Sequence, residues 1–490
     1  MLPSPEYFLE QVGTMTTFIL GITLLHTVGG VGQKYSAAVE SLSSNIYQQL
    51  AKNSGKDNIV VSPLSIHTAV SMLQYGTGGQ SQQQLQGALG LTDIPKAEHL
   101  LEVSNLQNQY DNLKDENMTL SIANGVYGAN DMEVHNDFIT LVENQFDGKY
   151  GKIDFSDKKS AVKTINTWAA NKTNNLIVDL VSEEALDAEV RMVLMNAVYF
   201  KAKWLKPFDR RGTSERVFRV PDQGDIMTEF MYLSDTIETA SLPELGARLV
   251  SLPYIVPDYK LLIFHPDNLV RIEELEQRLF SSNSSIADYL LRLEEKDCKL
   301  HLPKFDTGSD ISLVTPFQQL GVTDIFGDKA DFTGITDEKN LKVGDIIHKT
   351  KLKITEEGSE AAAVTGAVLD IRSGPLHQLK IDINSPFIFF IQDTKENLPL
   401  FMGKIVNPTG MTVDKSLEPG ERIFTCPGGD LDACTDDCDY PDSRKHRICV
   451  GSCAKKCPDM KQENEEKDLE NNLIFAKKPE QKNDQSVGNK

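Results

Sequence analysis

The sequence predicts an α+β fold followed by a small cysteine-rich module. Helical-period segments and β-rich runs alternate without the regular βαβ order of a doubly wound sheet. Two runs, Val193–Phe200 and Pro386–Gln392, are apolar and β-rich enough to be strands buried on both faces. Near Pro408 the composition changes: aromatic residues thin out, and six of the seven cysteines lie beyond it. With 490 residues, 40% of them hydrophobic, the chain can bury a large core, which excludes wholesale disorder.

The N-terminus opens with an apolar run, Phe18–Leu25, followed by small residues through Gly32. This is the pattern of a secretory signal, with cleavage expected after Gly32 and residues 1–32 forming the leader. Glu6 and Glu10 precede the run where basic residues are usual, and initiation at Met15 would remove both. From Tyr35 to Leu50, Ala38, Leu42, Ile46 and Leu50 recur at helical spacing and begin the folded body, 33–410. Sequons at Asn117, Asn171 and Asn283 are candidate glycosylation sites in a secreted, extracellular chain.

The net charge of -21 argues against nucleic acid or an anionic membrane as partner, since phosphate binding needs surplus cations. No apolar run approaches the roughly 18 residues of a membrane span. There is no HExxH, GxSxG or GxxxxGK[ST] pattern, and His67, His99, His135, His265, His301, His348 and His377 show no ligand spacing. The histidines read as surface or satisfied core residues. No catalytic residue, metal or cofactor is expected, and the chain is not read as an enzyme.

The segment 353–379 has a different character. A β-like run ends at Thr355, Glu356, Glu357 and Gly358 follow, and small residues continue from Ser359 to Ala367. As a strand, it would place Ser359, Ala361, Ala363, Thr365 and Ala367 on one face and Glu360, Ala362, Val364, Gly366 and Asp370 on the other. The first face is all small and could slip into an existing sheet without overpacking it. The second carries both charges. A flexible linker has no need of that division.

These residues sit within a wider resemblance. NIVVSPLSIHTAVSML from Asn58, INTWAANKTNNLI from Ile165, LMNAVYFKAKW from Leu194 and LVSLPY from Leu249 resemble serpin segments, as do LHLPKF from Leu300, SPFIFFIQD from Ser385 and FMGKIVNP from Phe401. The chain is similar to serpins from about Tyr35 to Pro408. The resemblance implies three β-sheets, eight or nine helices and an exposed reactive-centre loop. It implies a suicide inhibitor: a serine protease attacks the loop, forms an acyl-enzyme, and is trapped when the cut loop inserts into the large sheet. Counting sixteen positions from Glu356, as the family pattern implies, gives Arg372–Ser373 as the bond attacked. Arg372 would suit a trypsin-like protease, its guanidinium pairing with a carboxylate at the base of the specificity pocket. Leu369, Asp370 and Ile371 would tune the choice of protease.

The same resemblance implies a hinge of Glu356, Gly358, Ser359, Glu360, Ala361, Ala362, Ala363 and Thr365. It also implies a shutter of Ser62, Ser65, Asn196 and His348 beneath the sheet, and a breach of Trp204, Lys304 and Glu356 where the loop first enters, with Lys304 and Glu356 paired. The segment matching the helix of heparin-activated serpins, Lys96–Met118, carries five acids against two lysines, which argues against heparin activation. Two other readings stay open: a non-inhibitory serpin acting as carrier or chaperone, and an adaptor working through the tail.

That tail has no family pattern. Cys426, Cys434, Cys438, Cys449, Cys453 and Cys457 are disulfide candidates in a module at 411–460, and 461–490 is read as a disordered charged end.

Overall fold

The computed structural model describes residues 30–54, 57–113, 117–186, 190–220, 224–267, 270–282, 284–339, 341–359 and 378–409. The chain divides into two units, Met1–Thr409 and Gly410–Lys490. The tail, its six cysteines, Asn283 and the loop residues 360–377, Arg372 and Ser373 among them, lie outside the described residues.

Nine α-helices occur among the described residues: α1 (Val31–Ser54), α2 (Pro63–Gly76), α3 (Gly79–Leu89), α4 (Lys96–Asp111), α5 (Asn136–Gln145), α6 (Lys158–Lys172), α7 (Ile272–Ser281), α8 (Ile286–Leu290) and α9 (Val314–Gln319). The strands are β1 (Ile59–Val61), β2 (Met118–Ala129), β3 (Lys149–Ile153), β4 (Met192–Lys203), β5 (Ser214–Val220), β6 (Gly224–Leu242), β7 (Ala247–Pro253) and β8 (Tyr259–Pro266). They continue with β9 (Glu294–Pro303), β10 (Phe305–Ser312), β11 (Asp345–Thr355), β12 (Gly358–Ser359), β13 (Leu379–Asp382), β14 (Phe387–Asp393) and β15 (Leu398–Ile405).

The periodic segment at Tyr35–Leu50 lies within α1, where Ala38, Leu42 and Ile46 are buried. That helix begins at Val31, so the expected cut after Gly32 falls in its first turn. α2 starts with Pro63 in its first turn, where the missing N–H costs nothing, and is buried along almost its whole length. A helix buried all round is a core helix, and α2 packs against β2, β4 and β15. The two runs read as buried strands are β4 and β14; every residue of β14 is buried.

The three expected sheets occur as two continuous hydrogen-bonded networks, because one long strand is shared. A nine-stranded network runs β1-β15-β14-β8-β7-β6-β9-β13, with β5 also on β6. The 19-residue β6 pairs β5 over Gly224–Phe230, β9 over Phe230–Thr239 and β7 over Glu238–Leu242, so it belongs to two sectors at once. The other network, of six strands, runs β10-β11-β12-β4-β2-β3. No described helix is long and apolar enough to cross a membrane.

Candidate functional site: a seam in the six-stranded sheet

β4 and β11 meet in two ways. Over most of their length they pair directly and in parallel, Asp345–Lys351 against Val193–Tyr199. At one end the two-residue β12 lies between them, antiparallel to both: Ser359 faces Ile354 of β11 and Ala202 of β4, and Gly358 faces Thr355 and Lys203. The first hinge residues therefore already stand inside the sheet. Glycine is required there. A Cβ on Gly358 would lie 2.0 Å from the Ala202 carbonyl oxygen, and its φ of 152° is one that side chains rarely adopt.

Around that open end the sequence-expected residues converge. The Lys304 Nζ is 3.1 Å from Glu356 Oε1 and 3.0 Å from Glu229. The Thr213 hydroxyl donates to the same Glu356 oxygen at 2.7 Å. Burial pushes the Glu356 carboxyl up, but Thr213, a backbone N–H and Lys304 outweigh it and hold it below its usual value. Burial likewise works to lower Lys304, and its two glutamates reverse the sign. The pair stays charged on both sides. Trp204 donates its indole N–H to the Thr355 carbonyl at 2.9 Å and stacks on Tyr254, ring centroids 4.5 Å apart. Arg210 closes the turn with an ion pair to Glu357.

The middle of the seam holds a buried polar chain. His348 and Asn196 sit opposite each other on β11 and β4. The Ser62 backbone N–H donates to His348 Nε2 at 3.1 Å, which leaves the ring proton on Nδ1 to donate to Asn196 Oδ1. The Asn196 amide in turn donates to Ser65 Oγ and, at 2.6 Å, to Asn124 Oδ1. The Ser62 hydroxyl donates to the Leu400 carbonyl at 2.6 Å. Burial lowers the His348 pKa to about 3, so the ring is neutral and the tautomer follows from its partners. The network ties α2 and β15 to both strands of the seam.

Sequence reasoning missed Asn124, Thr213, Glu229 and Tyr254. Tyr254 ends the LVSLPY segment, but its role depends on stacking and register, which no motif carries. Two histidines also depart from the reading as satisfied core residues. His67 and His99 are buried in an aromatic cluster with Tyr35 and Tyr75, and His67 Nδ1 and His99 Nε2 have no hydrogen-bond partner among the described residues. The other nitrogen of each is satisfied, His67 Nε2 by the Leu89 carbonyl at 2.9 Å and His99 Nδ1 by the Tyr75 hydroxyl at 2.7 Å. Of the sequons, Asn171 is exposed on α6, while the half-buried Asn117 accepts from Lys203 at 3.0 Å. Cys298 is fully buried in β9 and has no disulfide partner among the described residues.

Comparison with known proteins decides the family: the model described as Serpin (serine protease inhibitor) matches residues 37–408. The chain is a serpin. Human Serpin B11 is 32% identical over 380 residues, 74% of this serpin and 97% of that protein. The crystal structure of Serpin48 from Tenebrio molitor superposes with a TM-score of 0.69 at 29% identity, covering 76% of this serpin and 98% of that chain. Human thyroxine-binding globulin, solved in complex with its ligand, superposes with a TM-score of 0.70 at 26% identity, covering 78% and 100%. The family fold thus serves members of different function, most of them inhibitors that target serine proteases rather than catalysts.

Proposed function

We propose that this serpin is a secreted inhibitor that traps a trypsin-like serine protease of a proteolytic cascade. The protease's serine attacks the Arg372 carbonyl, the bond to Ser373 breaks and releases its amine, and an acyl-enzyme forms on Arg372. The cut loop then inserts along the β4–β11 seam with the protease attached. Completing deacylation needs a nucleophile and oxyanion hole held to within ~1 Å, and mechanical distortion of the protease removes that alignment.

The observation that carries this reading is β12. Hinge residues Gly358 and Ser359 stand between β4 and β11, antiparallel to both, while the seam beyond them is still a parallel ladder. Inserting more of the loop exchanges one parallel ladder for two antiparallel ones. Parallel pairing is slightly the weaker per residue, and each added bond contributes about 1 kcal/mol. Continued at one residue per rung, the register of β12 brings Thr365 opposite both Asn196 and His348. The inward face of the inserted strand is then small throughout, as the slot between two packed strands demands. A carrier role, of the kind the name of thyroxine-binding globulin denotes, leaves that all-small face without a purpose.

The thermal midpoint before and after limited cleavage by trypsin tests the insertion. A rise of many degrees on cleavage, with the two fragments still associated, is expected. An unchanged midpoint would mean that the loop is cut but does not insert.

A further inference from the structure

Besides the Glu356 contacts and the Thr355 hydroxyl, which donates to the Gly358 carbonyl at 3.0 Å, the hinge is held in the seam by a side-chain contact at Ser359 that the backbone ladder does not explain. The Tyr254 hydroxyl and Ser359 Oγ are 2.7 Å apart, and both residues are fully buried. Tyr254 itself has little freedom. Its ring stacks on Trp204 at 8° between planes and meets Phe200 edge-on at 5.2 Å, and its backbone N–H donates to the Tyr259 carbonyl at 2.9 Å. Trp204 is anchored in turn, its indole on Thr355 and its backbone N–H on the Glu357 carbonyl at 2.9 Å. A rigid hydroxyl is thus aimed at the first inward residue of the incoming strand.

We infer that Tyr254 is a positioning residue for loop insertion: by holding Ser359 in the seam before cleavage, it fixes the register in which the rest of the loop enters. This rests on the inhibitory reading above. Register matters because a strand alternates faces with each residue, so a slip of one position exchanges the faces completely. In the register that β12 sets, Ser359, Ala361, Ala363, Thr365 and Ala367 go inward. One residue out, Glu360 is turned onto the buried face, where Phe200 and Ala202 of β4 and Leu352 and Ile354 of β11 offer it no counter-charge, and insertion stalls while the acyl-enzyme hydrolyses. A hinge already paired on two sides also removes the search for the first rung, which is the costly step in closing a loop.

The test compares Tyr254→Phe, which keeps the ring stack, and Ser359→Ala with Ser359→Thr, which keeps a hydroxyl. In the uncut chain, amide hydrogen exchange at Gly358 and Ser359 should be slow, and should quicken roughly fivefold in the first two variants, the loss of one ordinary hydrogen bond. With trypsin, the same two variants should release more cleaved inhibitor per trapped protease, at an unchanged rate of first attack, and Ser359→Thr should behave as the parent. Native thermal midpoints separate this from a merely structural role, which would lower the midpoint and leave the partition unchanged. Exchange and partition that Tyr254→Phe does not alter would overturn the inference. A parent chain that protects its hinge yet is cut without ever trapping protease would instead sink the inhibitory reading, and reduce the contact to a static one.

Discussion

Asn196 shows what a single polar residue does inside an apolar strand. It interrupts the apolar run of β4 while staying buried, and a buried amide without partners costs about 1–3 kcal/mol. Its oxygen and nitrogen are occupied by His348, Ser65 and Asn124, so the site is satisfied. Asn196→Leu strands the His348 Nδ1–H and the Asn124 carbonyl together and should destabilise the native state by about 2–4 kcal/mol, measured as a lowered urea midpoint at constant m-value. At the seam's mouth, Lys304→Met leaves Glu356 with Thr213 but without a counter-charge. The expected loss is about 1–3 kcal/mol, discounted because Lys304 is partly exposed and the carboxylate keeps its hydroxyl donor. A loss of trapping without a loss of stability in Lys304→Met would show that the pair acts on the loop rather than on the fold.

Among the elements, β12 and the strand it begins give the sharpest prediction, because period-2 alternation separates neighbours. Ala363→Glu places a charge on the inward face and should turn the inhibitor into a substrate, cut at the reactive bond and released. Val364→Glu, one residue on, places it on the outward face and should leave trapping within about twofold. Equal loss from both would refute a strand in the register of β12. The alternation is a purely local pattern of the sequence, and from Glu360 on it falls outside the described residues. Legible in the sequence were the strands at Val193–Phe200 and Pro386–Gln392, as apolar β-rich runs, and the helix over Tyr35–Leu50, as apolar residues at helical spacing. The joining of two sectors by β6 was not, since a 19-residue strand reads the same whether its partners change part-way or not. Nor was Tyr254, whose place depends on a stacking partner fifty positions earlier in the chain. The acidic α4 belongs with the legible features. Glu98, Glu102 and Asp111 lie on it against Lys96, so added heparin should leave the rate of protease association unchanged through that helix.

The serpin body as a whole buries neutral histidines, and this sets its response to acid. Burial lowers His67 to about 4, His99 to about 3, His265 to about 4 and His348 to about 3, from a usual 6.5. Above that usual value both folded and unfolded chains hold these rings neutral, and the full stability is present. As pH falls from about 6.5 towards 3–4, only the unfolded chain takes up the protons. Stability is therefore lost progressively on acidification, at up to about 1.4 kcal/mol per pH unit for each such ring. Denaturant midpoints between pH 7 and 4 should show that decline, and His348→Gln, which removes one titrating ring, should flatten it. A midpoint independent of pH across this window would mean that the rings are not held neutral in the fold.

The most direct test of the account is incubation with trypsin, followed by a denaturing gel and mass spectrometry. The account predicts a covalent complex that survives denaturation, together with a released fragment whose first residue is Ser373. Cleavage at Arg372 with no complex, and with the protease fully active afterwards, would contradict it.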